Sequence, residues 1–143
     1  MARTFQVTID ANDTFALAEF WAAALGYVVQ PPPEGFDTWE AFADEMDIPP
    51  QDRDKYAAVI DPNGDGPRVL IQKVPEPKTA KNRIHLDLHI SDHTAPAGER
   101  RLAIDAAAGE LIALGATRGD DFEEFGAVWT VMHDPEGNEF CLT

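Results

Sequence analysis

Two turns of one form, Asp61-Pro62-Asn63-Gly64 and Asp134-Pro135-Glu136-Gly137, constrain this chain more than any other feature. Each joins two apolar runs. Proline presets φ, and glycine permits the positive φ that reverses the chain. A second pair accompanies them: Leu25-Gly26 and Leu114-Gly115 each close a segment of helical period. Read outward from these landmarks, both halves run strand, helix, strand, strand, turn, strand. A βαβββ unit therefore occurs twice. One such unit leaves a sheet face uncovered opposite its helix. Two can curl their sheets around a shared concavity with the helices outside. The expected fold is α+β: one domain over 1–143, built of two tandem βαβββ modules, residues 1–75 and 81–143, with a shared cleft.

The elements follow from local pattern. In the first module, Phe5, Val7 and Ile9 alternate with polar residues and predict a strand over 3–9. Asp13 is suited to N-cap a helix over 14–24 that turns Leu17, Phe20, Trp21 and Ala24 to one side. A second strand over 27–30 stops at Pro31-Pro32-Pro33. Residues 31–55 read as an acidic insertion with a short helix over 37–46, Asp37 and Glu40 standing at capping-box spacing. Its Phe36, Trp39, Phe42 and Met46 either pack as a structural flap, the preferred reading, or wall a cleft. Strands over 56–60 and 68–74 complete the module, and Pro75-Glu76-Pro77-Lys78 is a linker. The second module is expected to contain a strand over 81–89 and a helix over 99–114, with Ile104, Ala107, Ala108 and Leu111 on one face. A short strand over 116–118, an acidic loop over 120–125 and strands over 127–132 and 138–142 follow.

Charge narrows the partners. Twenty-six acidic residues against 11 basic ones give a formal net charge of −15, which repels nucleic acid and anionic membranes. It mildly favours cationic ligands, because a cleft focuses the field. No apolar run approaches the roughly 18 residues that span a bilayer, and no export signal is visible, so a cytoplasmic location is expected. The single cysteine, Cys141, excludes an internal disulfide and a cysteine-rich zinc site.

The stretch Lys81-Asn82-Arg83-Ile84-His85-Leu86-Asp87-Leu88-His89 carries the densest chemistry. Strict alternation puts Ile84, Leu86 and Leu88 on one strand face and Arg83, His85, Asp87 and His89 on the other. Asp87 beside His85 suits a pair in which the carboxylate fixes the imidazole tautomer, leaving His85 as a general base. Arg83 suits a carboxylate or phosphate. An ordinary ion pair of Asp87 with Arg83 or a lysine is the competing reading. Cys141 reads most simply as a small buried hydrophobe. Trp129, Phe122, Phe125, Trp39 and Tyr27 are candidate walls of an apolar pocket, and Trp129 shares strand parity with Val131 and His133.

The duplicated order resembles the vicinal oxygen chelate superfamily, which includes glyoxalase I, bleomycin and fosfomycin resistance proteins and extradiol dioxygenases. The carriers are Asp13, Phe20-Trp21, Leu25-Gly26, His85 and Asp134-Pro135-Glu136-Gly137-Asn138-Glu139-Phe140. The stretch 81–88 and the ending Phe140-Cys141-Leu142 are similar to its glyoxalase-like domain branch. The resemblance implies a divalent-metal site with ligands on the first, fourth, fifth and last strands. Those positions fall on Gln6, on Leu70 or Gln72, on His85 and on Cys141. Only His85 is the usual ligand type.

The expected function is therefore binding of a small organic molecule in the inter-module cleft, without the family's full metal site. Gln6, Gln72, Arg83, His85, Asp87, Trp129 and Cys141 are the expected ligand-binding residues. The alternative is a lyase, isomerase or dioxygenase relative using His85, with Asp87, in catalysis. If a divalent metal binds, His85 with Gln6, Gln72 and Cys141 is the expected set. The resemblance also implies a homodimer.

Overall fold

In the computed structural model, which describes residues 1–143, the two halves of the sequence fold to one pattern. The chain divides into two units, Met1–Pro77 and Lys78–Thr143. The first holds β1 (Val7–Ala11), α1 (Thr14–Leu25), β2 (Val28–Val29), α2 (Trp39–Glu45), a single 3-10 turn (Pro50–Asp52), β3 (Tyr56–Ile60) and β4 (Val69–Lys73). The second holds β5 (Asp87–Leu88), α3 (Ala97–Ala113), β6 (Thr117–Glu124), β7 (Ala127–His133) and β8 (Glu139–Leu142). Sheet orders are β1-β4-β3-β2 and β5-β8-β7-β6. In each, the first pair is parallel and the others antiparallel. This is an α+β fold of two tandem βαβββ modules, as the sequence rhyme implies.

Each unit has its own core. Asp13 caps α1 by accepting from Ala16 N at 3.1 Å, and Gly26 ends it at φ 67°. The helix buries Leu17, Phe20 and Trp21, in the same unit as the buried Val59, Val69 and Ile71. In the second unit α3 buries Ile104, Ala108 and Leu111, and Val128, Met132, Phe140 and Leu142 are buried with them. Each of the larger aliphatic and phenyl side chains among them contributes about 1.5–3 kcal/mol on full burial. α3 also buries Arg100, whose Nη1 donates to Gly126 O at 2.9 Å, a polar anchor that apolar periodicity does not show.

The two landmark turns are built alike. Asp61 accepts from the N–H groups of Asn63 and Gly66 at 2.9 and 2.8 Å, and these bonds hold its carboxyl below the usual range. Asp134 accepts from the N–H groups of Glu136 and Asn138, each at 2.9 Å. Gly64 and Gly137 sit at φ 78° and 87°, where a side chain is strained.

Several elements differ from expectation. β1 starts at Val7, and Phe5 is left exposed. The cap of α2 is Thr38, accepting from Ala41 N at 3.1 Å, rather than Asp37. Residues 120–125 are not a loop: β6 runs through Glu124 around a bulge between Arg118 and Asp121. Pairing with β7 overrides the acidic composition. Asp121 is held by Thr130 at 2.7 Å and Arg118 at 2.8 Å, which lower its pKa, and Phe122 stacks on Trp129 at 5.1 Å. Phe125 and Gly126, both at positive φ, make the reversal.

The largest correction concerns residues 81–89. Only Asp87–Leu88 form a strand, and residues 83–84 lie in a bend with Ile84 85% exposed. The cause lies one step earlier. Asn82 N donates to Glu139 Oε2 at 2.9 Å and its Nδ2 donates to Glu139 O at 3.3 Å, so a side chain occupies the edge of β8 there. Backbone bonds with β8 begin only at Leu86 O, which accepts from Cys141 N at 2.9 Å.

Candidate functional site

Internal symmetry sorts the candidate residues. Thr8 pairs with Leu70 in the first unit, and Asp87 pairs with Cys141 in the second. Val69 and Ile71 are buried beside Leu70, as Phe140 and Leu142 are beside Cys141. Gln6 precedes Thr8 by two residues, as His85 precedes Asp87. The counterpart of Gln6 is therefore His85, and that of Cys141 is Leu70. Gln72 corresponds to Thr143. The position left open on the fourth strand thus carries an aliphatic side chain.

In the second unit the structure brings His85, Asp87 and Cys141 together, with donor atoms all within 4.8 Å of one another. His85 Nδ1 lies 2.7 Å from Asp87 Oδ1. Cys141 is buried beside Asp87, and burial together with that negative charge pushes its thiol up to about 11. It is a protonated thiol at neutral pH. Arg83, in the bend, makes no hydrogen bond or ion pair, so the expected pairing with Asp87 is absent. His89 instead meets Thr143 Oγ1 at 2.8 Å. Trp129 lies on the sheet face away from the buried Val128 and Met132, the face of Cys141, and is stacked on Phe122.

On that face the charge of Glu139 is paired within the fold. Burial alone would raise its pKa, but Asn82 N–H and the Lys78 ammonium at 3.0 Å outweigh it and hold the carboxyl at about 2. It is a fixed structural anion.

In the first unit the insertion forms one wall of a cavity of about 320 Å³. Phe15, Val29, Trp39, Phe42, Ala43, Ile48, Tyr56, Ala57, Ala58 and Leu70 supply its apolar lining. Gln30, Glu40, Asp52, Arg53 and Arg68 supply the polar atoms. The wall is firmly built. Arg53 clamps α2 through Glu40 at 2.6 Å and Asp44 at 2.7 Å and donates from Nε to Ile48 O at 3.0 Å. Trp39 Nε1 donates to Gln30 O at 2.9 Å, and Phe42 makes edge contacts with both Phe36 and Trp39. Thr14 Oγ1 donates to Asp54 O at 2.8 Å, tying the end of the insertion to α1. The flap reading thus covers half of what the segment does: it packs, and it encloses a cavity.

Arg68 stands on the same sheet face as Leu70, where β4 begins. Its Nε donates to Gln30 Oε1 at 2.7 Å and its Nη1 to Gln6 Oε1 at 2.9 Å. Gln6, an expected ligand-binding residue, therefore orients a guanidinium. Gln72, of intermediate exposure on β4, is not among the lining residues. Arg68 and Gln30 were missed by sequence reasoning. The signal for Arg68 was its parity with Leu70 and Gln72.

A duplicated βαβββ chain with these landmarks defines a class, the vicinal oxygen chelate proteins. Residues 6–143 match the glyoxalase-like domain, and the chain belongs to that family. No curated protein matches it in sequence. Among solved structures, it is similar to a glyoxalase/bleomycin resistance protein/dioxygenase family enzyme from Burkholderia phytofirmans PsJN. That match has a TM-score of 0.61 and 17% identity, covering 96% of this chain and 94% of that one. It is also similar to a glyoxalase/bleomycin resistance protein from Albidiferax ferrireducens T118, with TM-score 0.56, 18% identity and coverage of 96% and 95%. A third is the fosfomycin resistance protein FosX from Listeria monocytogenes, a mutant complexed with Mn(II) and 1S,2S-dihydroxypropylphosphonic acid. Its TM-score is 0.63 at 10% identity, with coverage of 99% and 89%. These likenesses establish the fold. No helix is long and apolar enough to cross a membrane.

Proposed function

We propose that this protein binds a small organic molecule in the cavity of its first unit and does so without a metal. The observation that carries the reading is the cavity of about 320 Å³ between a mainly apolar sheet face and the anchored insertion. Ligand pockets are typically concave and apolar with a few fixed polar groups. All of its lining residues fall between Phe15 and Leu70.

The metal-free reading rests on the donor sets. Donors around a tetrahedral ion at about 2.0–2.3 Å lie roughly 3.3–3.7 Å apart. His85 Nδ1 and Asp87 Oδ1, 2.7 Å apart, are spaced as a hydrogen-bonded pair. The counterparts of His85 and Cys141 in the first unit are an amide and an aliphatic side chain. The second unit thus offers three donors within 4.8 Å, two of them already hydrogen-bonded to each other, and the first unit offers no matching set.

Leu70→Trp, which fills the cavity from its sheet face, tests the binding reading. A ligand that binds only the folded protein raises Tm. The wild type is expected to show such shifts with aromatic fragments, and the variant to lose them while keeping its own fold. Equal shifts in both proteins would contradict the reading. Metal analysis tests the other half: stoichiometric zinc, nickel, manganese or iron, lost in His85→Ala, would overturn it.

One observation favours a second reading. The contact of His85 Nδ1 with Asp87 leaves Nε2 free, the arrangement of a general base. A lyase or isomerase of this superfamily would use it to remove a proton beside a carbonyl. Activity abolished by His85→Gln with ligand binding retained would support that reading.

A further inference from the structure

We infer that the ligand of this cavity carries a carboxylate on an aromatic or otherwise apolar body, and that Arg68 receives it. The inference rests on the cavity being the binding site. Its basis is a charge inventory of the lining. Four lining residues are charged: Glu40, Asp52, Arg53 and Arg68. Glu40 is paired with Arg53, which also holds Asp44. Asp52 is paired with Lys55 at 2.9 Å. Arg68 alone has only neutral partners, the amide oxygens of Gln30 and Gln6.

Those two amides do more than satisfy hydrogen bonds. They grip Nε and one N–H of Nη1, which fixes the guanidinium plane at two points. Of the five N–H groups of an arginine, three remain, two on Nη2 and one on Nη1. The free N–H groups lie on both terminal nitrogens, and a carboxylate has the charge and the two acceptor oxygens to take them. A planar anion fits this fork; a point cation does not.

The rest of the lining is mainly apolar. Trp39 and Phe42 on the insertion and Ala58 and Leu70 on the sheet offer no counter-charge to a polar ligand body. An occupant therefore needs one anionic end and one flat or branched apolar end. The net charge of −15 points toward cations at long range. That field is screened over about 8–10 Å at ordinary salt. Contact with an uncompensated guanidinium is local and decides the sign.

The test uses matched aryl acids and their neutral amides: benzoate with benzamide, 2-naphthoate with 2-naphthamide, and biphenyl-4-carboxylate with its carboxamide. Calorimetric titration of the whole protein gives each affinity. At least one acid is expected to bind about tenfold to a hundredfold tighter than its amide, the usual range for a charge-assisted bond. Raising the salt narrows the ratio. Arg68→Gln brings the acid down to the affinity of the amide, so the acid-to-amide ratio falls to about one. Arg68→Lys keeps the charge without the fork and retains part of the preference, so the inference stays open to disproof even if the glutamine variant folds poorly. Acids and amides binding alike, or a preference that survives Arg68→Gln, would overturn the anion inference while leaving the cavity reading intact. Binding of neither kind would overturn both.

Discussion

The same backbone position carries opposite charges in the two halves. Arg68 opens the polar face of β4, and Glu139 opens that of β8, each beside a buried apolar residue, Val69 or Phe140. Residues preceding the parallel partner strand hold Glu139, whereas Arg68 is held by one such residue, Gln6, and by Gln30 after β2. Glu139 takes Asn82 N–H and the Lys78 ammonium, so its charge is cancelled within the fold. Arg68 takes two amides, so its charge is positioned and left over. The surroundings diverge in step. The first half encloses a cavity beside Arg68 with the segment between β2 and β3. The second lengthens the corresponding hairpin into β6 and β7 and covers its sheet with the Phe122–Trp129 stack. One copy of the repeat has its polar face satisfied internally, and the other, on the proposed function, presents it to a guest.

That contrast can be broken at several points. The cores are expected to be equivalent. Leu17→Ala and Ile104→Ala each remove a side chain that is 1% and 0% exposed, respectively. Each should cost about 2–5 kcal/mol, read as a lower urea midpoint. A negligible cost in one half would show that its helix does not pack as described.

Cys141 marks the chemistry of the second half. With its thiol at about 11, the folded protein holds about a hundredfold less thiolate at pH 7 than a free cysteine does. Iodoacetamide should therefore label it slowly in the native state and rapidly in urea. Fast native labelling would contradict both the burial and the influence of Asp87.

The charged pair itself should separate structure from function. Glu139→Gln is expected to cost about 1–3 kcal/mol, because it disturbs a satisfied, largely buried network. Arg68→Gln should change stability by less than about 1 kcal/mol, since its partners are part-exposed amides. The pH dependence carries the same sign. Glu139 has a folded pKa of about 2, below its ordinary value of 4.5. Its contribution is fully present above about 4.5 and is lost as pH falls toward 2. Acid unfolding curves of the wild type and Glu139→Gln should converge over that window. Parallel curves would show that the carboxylate is not held as described.

The smallest effects belong to the turns. Gly64→Ala and Gly137→Ala place a side chain at φ 78° and 87° without a steric clash. Each should cost about 1 kcal/mol. Unequal costs would mean that the two turns, alike in hydrogen bonding, are not alike in strain.

The repeat was legible because its signals are local. Caps, turn residues and short apolar periods depend on neighbours a few residues away, and Asp13, Gly26, Asp61 and Asp134 behave as their types imply. What failed depends on partners far along the chain. Residues 83–84 alternate like a strand, yet Asn82 bonding to Glu139 forces a bend. Residues 120–124 are acidic like a loop, yet Arg118, Arg101 and Thr130 neutralise Asp121 and let the strand continue. The site divides the same way. His85 and Asp87 are two residues apart, and their contact was foreseeable. Arg68 depends on Gln6 and Gln30, far away in sequence, and only the sheet brings them together.

The central claim is that the guest sits in the first half. Backbone-amide NMR shift mapping with 2-naphthoate on the 15N-labelled protein tests it most directly. Perturbations should concentrate at Gln30, Ala43 and Ala57 and at the indole N–H of Trp39. Shifts gathered instead at His85, Asp87, Trp129 and Cys141 would contradict it.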